Sequence, residues 1–353
     1  MIAVTIIIFL LVLGLLIFVH ELGHFVTARL AGVKVEEFGI GYPPRIFGVQ
    51  RGETIYSINA VPLGGFCRLL GEEDPSAPRS LASKRALTRI IVLGSGSVMN
   101  ALLPIVLLTI AFMVPRAVAV GDVVVEGVAS DSPAAEAGIE PGDVIISVNG
   151  TPVQNIGEVV YDSHLSLGEA TTLELRDAEG GTRLVTLVPR LDYPEGEGPM
   201  GASLILENIQ EVSESYPFWE AVPKSFSTLG ETFVLLRNEV RSWFARGTVP
   251  EVGGPVAIFQ LTGEANHAGP SYLLQFAAFL SLNLAIVNLF PLPALDGGRI
   301  VFVLIEVVRR GKRVSPRTEG LVHLIGFALL ITVMIVVTYV DVLRVIRGES
   351  LVQ

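Results

Sequence analysis

The residues best suited to chemistry are His20-Glu21-Leu22-Gly23-His24. On a helix, positions i and i+4 lie one above the other on the same face. The two imidazoles can therefore reach one ion, with a carboxylate beside them. His-Glu-x-x-His on a helix is a zinc site with a built-in general base. The pentapeptide interrupts an apolar run that starts at Met1 and resumes as far as Ala28. Three ionisable groups in such a segment are costly in lipid and mark a functional site.

A catalytic zinc wants three protein ligands and one open position for water. No His, Asp, Glu or Cys near position 24 suits the same face, so the third ligand must come from elsewhere in the chain. One further carboxylate is tied to an apolar run: Asp296, in Asn283-Leu-Ala-Ile-Val-Asn-Leu-Phe-Pro-Leu-Pro-Ala-Leu-Asp-Gly-Gly-Arg299. Pro291 and Pro293 break helical hydrogen bonding just before it. Broken backbone at membrane depth is tolerated where it lines a cavity, which is where an aspartate can meet a metal. His267 and His323 lie in a polar stretch and at the start of the last apolar run, and are read as non-ligands.

The elements that must carry these groups are apolar. Half of the 353 residues are hydrophobic and 17% are charged, against about 25% charge in a soluble domain. That composition excludes a disordered chain. A single cysteine, Cys67, excludes an intramolecular disulfide framework and a CxxC metal site. A net charge of −10 argues against nucleic-acid binding. Charge-free runs cover Met1–Val19, Ile90–Pro115, Ser271–Leu295 and Gly320–Val340, each meeting the roughly 20 residues a spanning helix needs. They occupy only about a quarter of the chain, so something must also fold in water. The first run has no basic residue before Arg29 and leads into the histidine motif, unlike a cleaved signal peptide. It is expected to stay.

Basic residues orient the spans. Residues 29–89 hold nine Lys and Arg, and 299–317 hold six, whereas 116–270 hold eight against 23 acids. The two basic loops are expected in the cytoplasm, with both termini and the acidic segment outside, in the inner (plasma) membrane. The expected organisation is an α-helical polytopic membrane protein with four transmembrane helices at 1–28, 90–115, 271–296 and 320–341. Between them lie a cytoplasmic loop (29–89) with a membrane-associated β-loop, an outer domain (118–191), an outer linker with an amphipathic helix (192–270), a basic cytoplasmic segment (297–319) and an outer tail (342–353).

Within the outer segment, Val123–Val128, Val144–Val148, Thr171–Leu175 and Leu184–Pro189 read as strands. Ser132-Pro133 starts a helical turn that Gly138 stops. The string Ser132-Pro-Ala-Ala-Glu-Ala-Gly-Ile-Glu-Pro-Gly-Asp-Val-Ile-Ile-Ser-Val-Asn-Gly150 resembles a PDZ domain, a small α+β module that binds extended peptides at a sheet edge. A spacer that binds nothing is the alternative. His164, on an expected helix over Glu158–Leu167, could line a peptide groove or be an ordinary exposed histidine. Trp219–Phe244 has the apolar spacing of an amphipathic helix lying on a membrane.

Taken together, these motifs resemble the site-2 protease family of intramembrane zinc metalloproteases, of the type with a single PDZ domain, over nearly the whole chain. His20–His24 is similar to the family's HExxH. Asn288-Leu-Phe-Pro-Leu-Pro-Ala-Leu-Asp296-Gly297 fits its NxxPxPxLDG. Val61–Phe66 resembles its PLGG segment in a re-entrant β-loop, and Gly254–Ile258 a GPVGI-like stretch. Two departures occur: Gly96-Ser-Val-Met-Asn100 where the family usually has GPxxN, and Gly41-Tyr-Pro-Pro44 in place of GFGP. Both are expected to bear on substrate fit and to stand clear of the metal site.

The resemblance implies that His20, His24 and Asp296 hold one Zn²⁺ and that Glu21 is the general base. It implies Asn288 as a contact to unwound substrate, with Gly64, Gly65 and Phe66 pairing with the substrate backbone as an added strand. The implied substrates are single-pass membrane proteins, such as anti-sigma factors or remnant signal peptides, with a possible peptide ligand at the PDZ domain. A zinc transporter would not require Glu21 between its ligands, and the internal repeats of many transporters are not seen. An inactive scaffold would tolerate loss of Glu21 or Asp296, and both are present.

Overall fold

The computed structural model describes residues 2–194, 196–247 and 253–347. In chain order it begins α1 (Ile2–Leu30), β1 (Val35–Arg51), β2 (Thr54–Leu69) and α2 (Ala86–Met113). There follow β3 (Arg116–Val128), α3 (Pro133–Glu136), β4 (Val144–Val148), β5 (Thr151–Pro152), α4 (Ile156–Leu165), β6 (Thr171–Arg176), β7 (Thr182–Leu187), β8 (Ala202–Glu214) and α5 (Phe218–Arg246). The chain closes with α6 (Pro255–Ala268), α7 (Pro270–Leu289), α8 (Asp296–Val308) and α9 (Pro316–Arg347). It divides into two compact units, residues 1–111 with 252–353, and residues 112–251.

In the first unit, α1, α2, α7 and α9 are long and apolar enough to cross a membrane. The exposed surface of α9 includes Leu324, Ile325, Leu329, Val333 and Ile335. A contiguous apolar face of that length is unfavourable in water and matched to hydrocarbon. The β1–β2 hairpin sits between the first two of these helices. Glu37–Ile40 is paired on both sides, with Ile55–Ile58 and with Gly65–Arg68. Its base joins a core made by Ala28 of α1, Val35, Leu69, Leu81, Val92 and Leu93 of α2, and Val303 of α8. That core fixes the hairpin against the metal-motif turn of α1.

Two boundaries differ from the sequence expectation here. The third apolar helix stops at Leu289, so Asp296 does not close it but opens the separate helix α8. Pro291 and Pro293 supply no backbone N–H for a continuing helix. The last helix also runs on through 342–347, assigned by the apolar run to a tail. The remainder of that tail, 348–353, lies outside the described residues.

In the second unit a six-stranded sheet has the order β7-β6-β4-β3-β8, with β5 on β4. Its core is Val123, Val125, Ile145, Val148, Val159, Leu173 and Leu175. Ser132 caps α3 through its Oγ, which accepts from Ala135 N at 3.2 Å, with Pro133 at N1. The segment beyond 191 is more than a linker and one helix. β8 pairs with β3 along its whole length, from Arg116↔Glu214 to Val128↔Ala202, and 253–268 contributes α6 in the first unit. Polar residues fill much of β8, since most of it is exposed, and this hid the strand from apolar periodicity. α5 docks through buried Ala221, Ser225, Asn238 and Ser242 and leaves Trp219, Phe226, Phe233, Val240 and Phe244 exposed. Asn238 Nδ2 donates to the carbonyls of His164 and Leu165 at 2.9 and 2.8 Å, closing the C-terminus of α4.

Truncating the fully buried Leu173 to Ala is expected to destabilise this unit by about 2–5 kcal/mol, read as loss of amide-exchange protection in β4 and β6 of the intact chain. A second expectation concerns pH. Burial alone would raise the Glu214 carboxyl, but hydrogen bonds from Tyr216 and Arg116 hold it below its ordinary value. A lowered folded value means stabilisation that is complete above the ordinary glutamate range, about 4.3, and lost as pH falls through the lowered value. Protection at 116–120 and 210–214 should therefore be flat from pH 7 to about 5 and decline only in more acidic solution. The variant Glu214→Gln should lack that acid-dependent step.

Candidate metal centre

α1 carries His20 and His24 one turn apart, both buried at 8% exposure. Their Nε2 atoms lie 3.2 Å apart. Asp296 Oδ2, from the first turn of α8, is 3.1 Å from His20 Nε2 and 3.2 Å from His24 Nε2. Among the described residues this is the group of His, Cys, Asp and Glu side chains able to hold one ion. Three ligand atoms around a tetrahedral zinc with bonds of about 2.0–2.1 Å are separated by roughly 3.3 Å, so the observed triangle has the right size. Asp296 Oδ2 is also buried without a hydrogen-bond partner, a costly state unless a cation is supplied. The donor set and the unsatisfied oxygen both fit zinc.

Close approach of backbones makes the triangle possible, and the Gly96–Asn100 segment, expected from the sequence to stand clear of the metal site, packs against its histidines. A Cβ at Gly96 of α2 would lie 2.7 Å from His20 Cε1 and would run into the His24 ring. A Cβ at Gly23 would lie 2.5 Å from the Ser95 carbonyl oxygen. α1 and α2 thus cross through facing glycines, a packing mode of membrane helices. His24 Nδ1 meets the Val92 carbonyl of α2 at 2.9 Å, which makes Nδ1 the protonated nitrogen and leaves Nε2 free for a metal. Asn100, on the same face of α2, has its Nδ2 3.5 Å from His20 Nδ1.

Asp296 is delivered by the broken backbone. Residues 290–295 carry no helix, and Ala294 takes a positive φ of 78°. Its N–H donates to His323 Nδ1 at 2.9 Å, so His323 is not at the metal cluster but fastens the loop that leads to it. His267 lies in the last turn of α6, also apart from the cluster. Side chains at Gly297 and Gly298 would meet the carbonyls of Leu289, Phe290 and Leu292, so only glycines let α8 start this close to the end of α7. Arg299, one turn after Asp296, pairs with Glu72 beyond β2 and fixes the same turn.

A cavity of about 460 Å³ opens beside the triangle, lined by His20, Glu21, His24, Asp296, Gly65 and Phe66 among others. Glu21 and Cys67 lie on the wall of the same cavity. Gly65 is buried against α1, where a Cβ would approach Ile17 and Glu21. Gly64 has φ +121° and no room for a side chain against the Tyr42 ring. Phe66 stacks on Tyr42 at 6.5 Å between centroids. Asn288 is in the last turn of α7, half-buried, and is not among the residues lining the cavity. Spacing alone did not reveal Gly96, the Val92 carbonyl or His323. Their signals were a glycine in an apolar helix, backbone atoms that leave no trace in side-chain pattern, and a histidine set apart from any motif.

The model of peptidase family M50 matches residues 8–333. A Clostridium acetobutylicum relative with zinc metalloprotease in its name is 36% identical, over 96% of this chain and 97% of that protein. Zinc metalloprotease RasP of Geobacillus kaustophilus is 30% identical, over 96% of this chain and 97% of its own. Regulator of sigma-W protease RasP of Bacillus subtilis is 28% identical, over 96% and 98% respectively.

The glycine crossing is testable by metal content. Gly96→Ala should displace the imidazoles and weaken zinc retention roughly 10–100-fold, the range seen when groups supporting metal ligands are lost. Gly94→Ala, where the nearest atom to a new Cβ is a side-chain carbon at 3.8 Å, should leave zinc retention unchanged.

Proposed function

The chain belongs to peptidase family M50 and is a multi-pass zinc metalloprotease; from that premise we propose that it hydrolyses peptide bonds within transmembrane segments of single-pass membrane proteins. The observation that carries this reading is the His20–His24–Asp296 triangle, built between apolar helices with Glu21 on the wall of the same cavity. In the proposal these three side chains hold the zinc. When bound, zinc supplies Lewis acidity, polarising a scissile carbonyl and acidifying water at neutral pH. Glu21 accepts the proton of the attacking water and returns it to the leaving amine.

A helical substrate shields its peptide bonds, so it must unwind locally, and its freed N–H and C=O groups then need partners. Gly64, Gly65 and Phe66 would supply them by strand addition. In support, Gly65–Arg68 pairs with β1 on one side while Gly65, Phe66 and Cys67 line the cavity. Asn288 would contact the unwound segment from the end of α7. Residues 118–191 are read as a PDZ domain that senses a C-terminus or screens substrates by size, after another protease has removed their outer part. The exposed stripe of α5 would lie on the membrane surface. The name of the Bacillus subtilis relative, a regulator of sigma-W, supports anti-sigma factors as substrates; remnant signal peptides are the other class. Location in the inner (plasma) membrane, with both termini and the acidic unit outside, follows the loop charges.

Purified chain reconstituted with a truncated single-pass helix should cleave it. Glu21→Gln should retain zinc and lose activity by about 10²–10⁴-fold, and Asp296→Asn should lose zinc and activity together. A chelator should abolish wild-type cleavage, and added zinc should restore it. Stoichiometric zinc with no cleavage of any truncated helix would sink the proposal.

A further inference from the structure

Each metal-binding imidazole needs an acceptor at its second nitrogen, because a ring that binds metal through Nε2 keeps its proton on Nδ1. His24 has the Val92 carbonyl. His20 faces Asn100, whose carboxamide is completely buried in α2. With Nδ2 turned to His20 the contact is long, 3.5 Å, while Oδ1 on the other side is buried and without a partner. An N–H donated to His20 Nδ1 would also force the ring proton onto Nε2, the atom that points at Asp296 and His24. Oxygen and nitrogen of a carboxamide exchange places by a half-turn about its last bond, and the surrounding hydrogen-bond pattern decides between them.

We propose that Asn100 is a positioning residue whose Oδ1 accepts from His20 Nδ1–H, fixing the tautomer and ring plane that let His20 bind zinc. The inference rests on the reading of His20, His24 and Asp296 as the zinc ligands. It gives α2 a matched pair of acceptors, a backbone carbonyl for His24 and a side-chain amide for His20, two helical turns apart at positions 92 and 100. The Asn100 backbone is held independently, since its carbonyl accepts from Ser281 Oγ of α7 at 2.8 Å. A side-chain substitution therefore leaves that helix contact in place.

The test is zinc affinity of the full chain in detergent, measured by competition with a chelator of known affinity, without reference to proteolysis. Asn100→Leu, similar in size but with no acceptor, should bind zinc about 10–100-fold more weakly. Asn100→Asp, which offers acceptor oxygens and no N–H, should stay within about threefold of wild type. Nitrogen NMR of ring-labelled histidine in zinc-loaded wild type should show His20 protonated at Nδ1, a readout that needs no variant to fold. Wild-type affinity in Asn100→Leu, equal losses in the Leu and Asp variants, or an Nε2-protonated His20 would each overturn the inference. If wild type binds zinc no better than His20→Ala, the metal centre itself has been misread and the inference falls with it.

Discussion

The structure depends on bringing two histidines and a carboxylate together among apolar helices of membrane-spanning length. An ionisable group there costs several kcal/mol unless it finds protein partners. The protein meets this by pressing α1 and α2 together at Gly23 and Gly96, so that the backbone of one helix serves the side chains of the other. Larger residues at either position would separate the helices by a side-chain width. The imidazoles would then lose the Val92 carbonyl and the tight triangle with Asp296.

The third corner required the opposite device. A continuous helix from Pro270 could not place a carboxylate against α1 and then start a new helix at the same point. Two prolines stop α7, and Gly297 and Gly298 admit α8 to the space beside its last carbonyls. The intervening backbone is secured piecemeal, by the Ala294 N–H on His323 and by Arg299 on Glu72. Irregular backbone at membrane depth survives only where its polar groups are satisfied by protein or face a polar cavity. Here it does both. The same cavity wall is completed by the β hairpin, whose base is locked to α1 and α2 by Val35, Leu69, Val92 and Leu93.

The second unit is built on different physics. Its sheet closes over β-branched and leucine side chains in a water-soluble manner, and its caps at Ser132 and Asn155 are of the ordinary kind. The helix α5 is the element that breaks this pattern. Its small and polar face is consumed by α4 and the segment around Leu191, through Asn238 and Ser242. Its aromatic face is left outward. An amphipathic helix normally buries the aromatic side; here the small and polar face is the packed one.

The chain by itself determined whatever is periodic or local. Four apolar stretches of membrane length, the i, i+4 histidines, the Pro291/Pro293 break and the Ser132-Pro133 helix start all follow from the spacing of residues within one element. The exposed strand β8, the separate helix α8, and the small helix α6 were not legible, because their apolar pattern is weak or their boundaries are set by packing. The metal motif was half legible. His20, Glu21 and His24 share one helix, and Asp296 could be nominated because it ends an apolar run. That its oxygen comes within 3.2 Å of both rings was decided only by tertiary structure. So were the Val92 carbonyl and the amide of Asn100. These contacts join elements far apart in sequence, and backbone groups look alike in every residue. Which of them meets a given side chain is fixed by how closely two helices can approach.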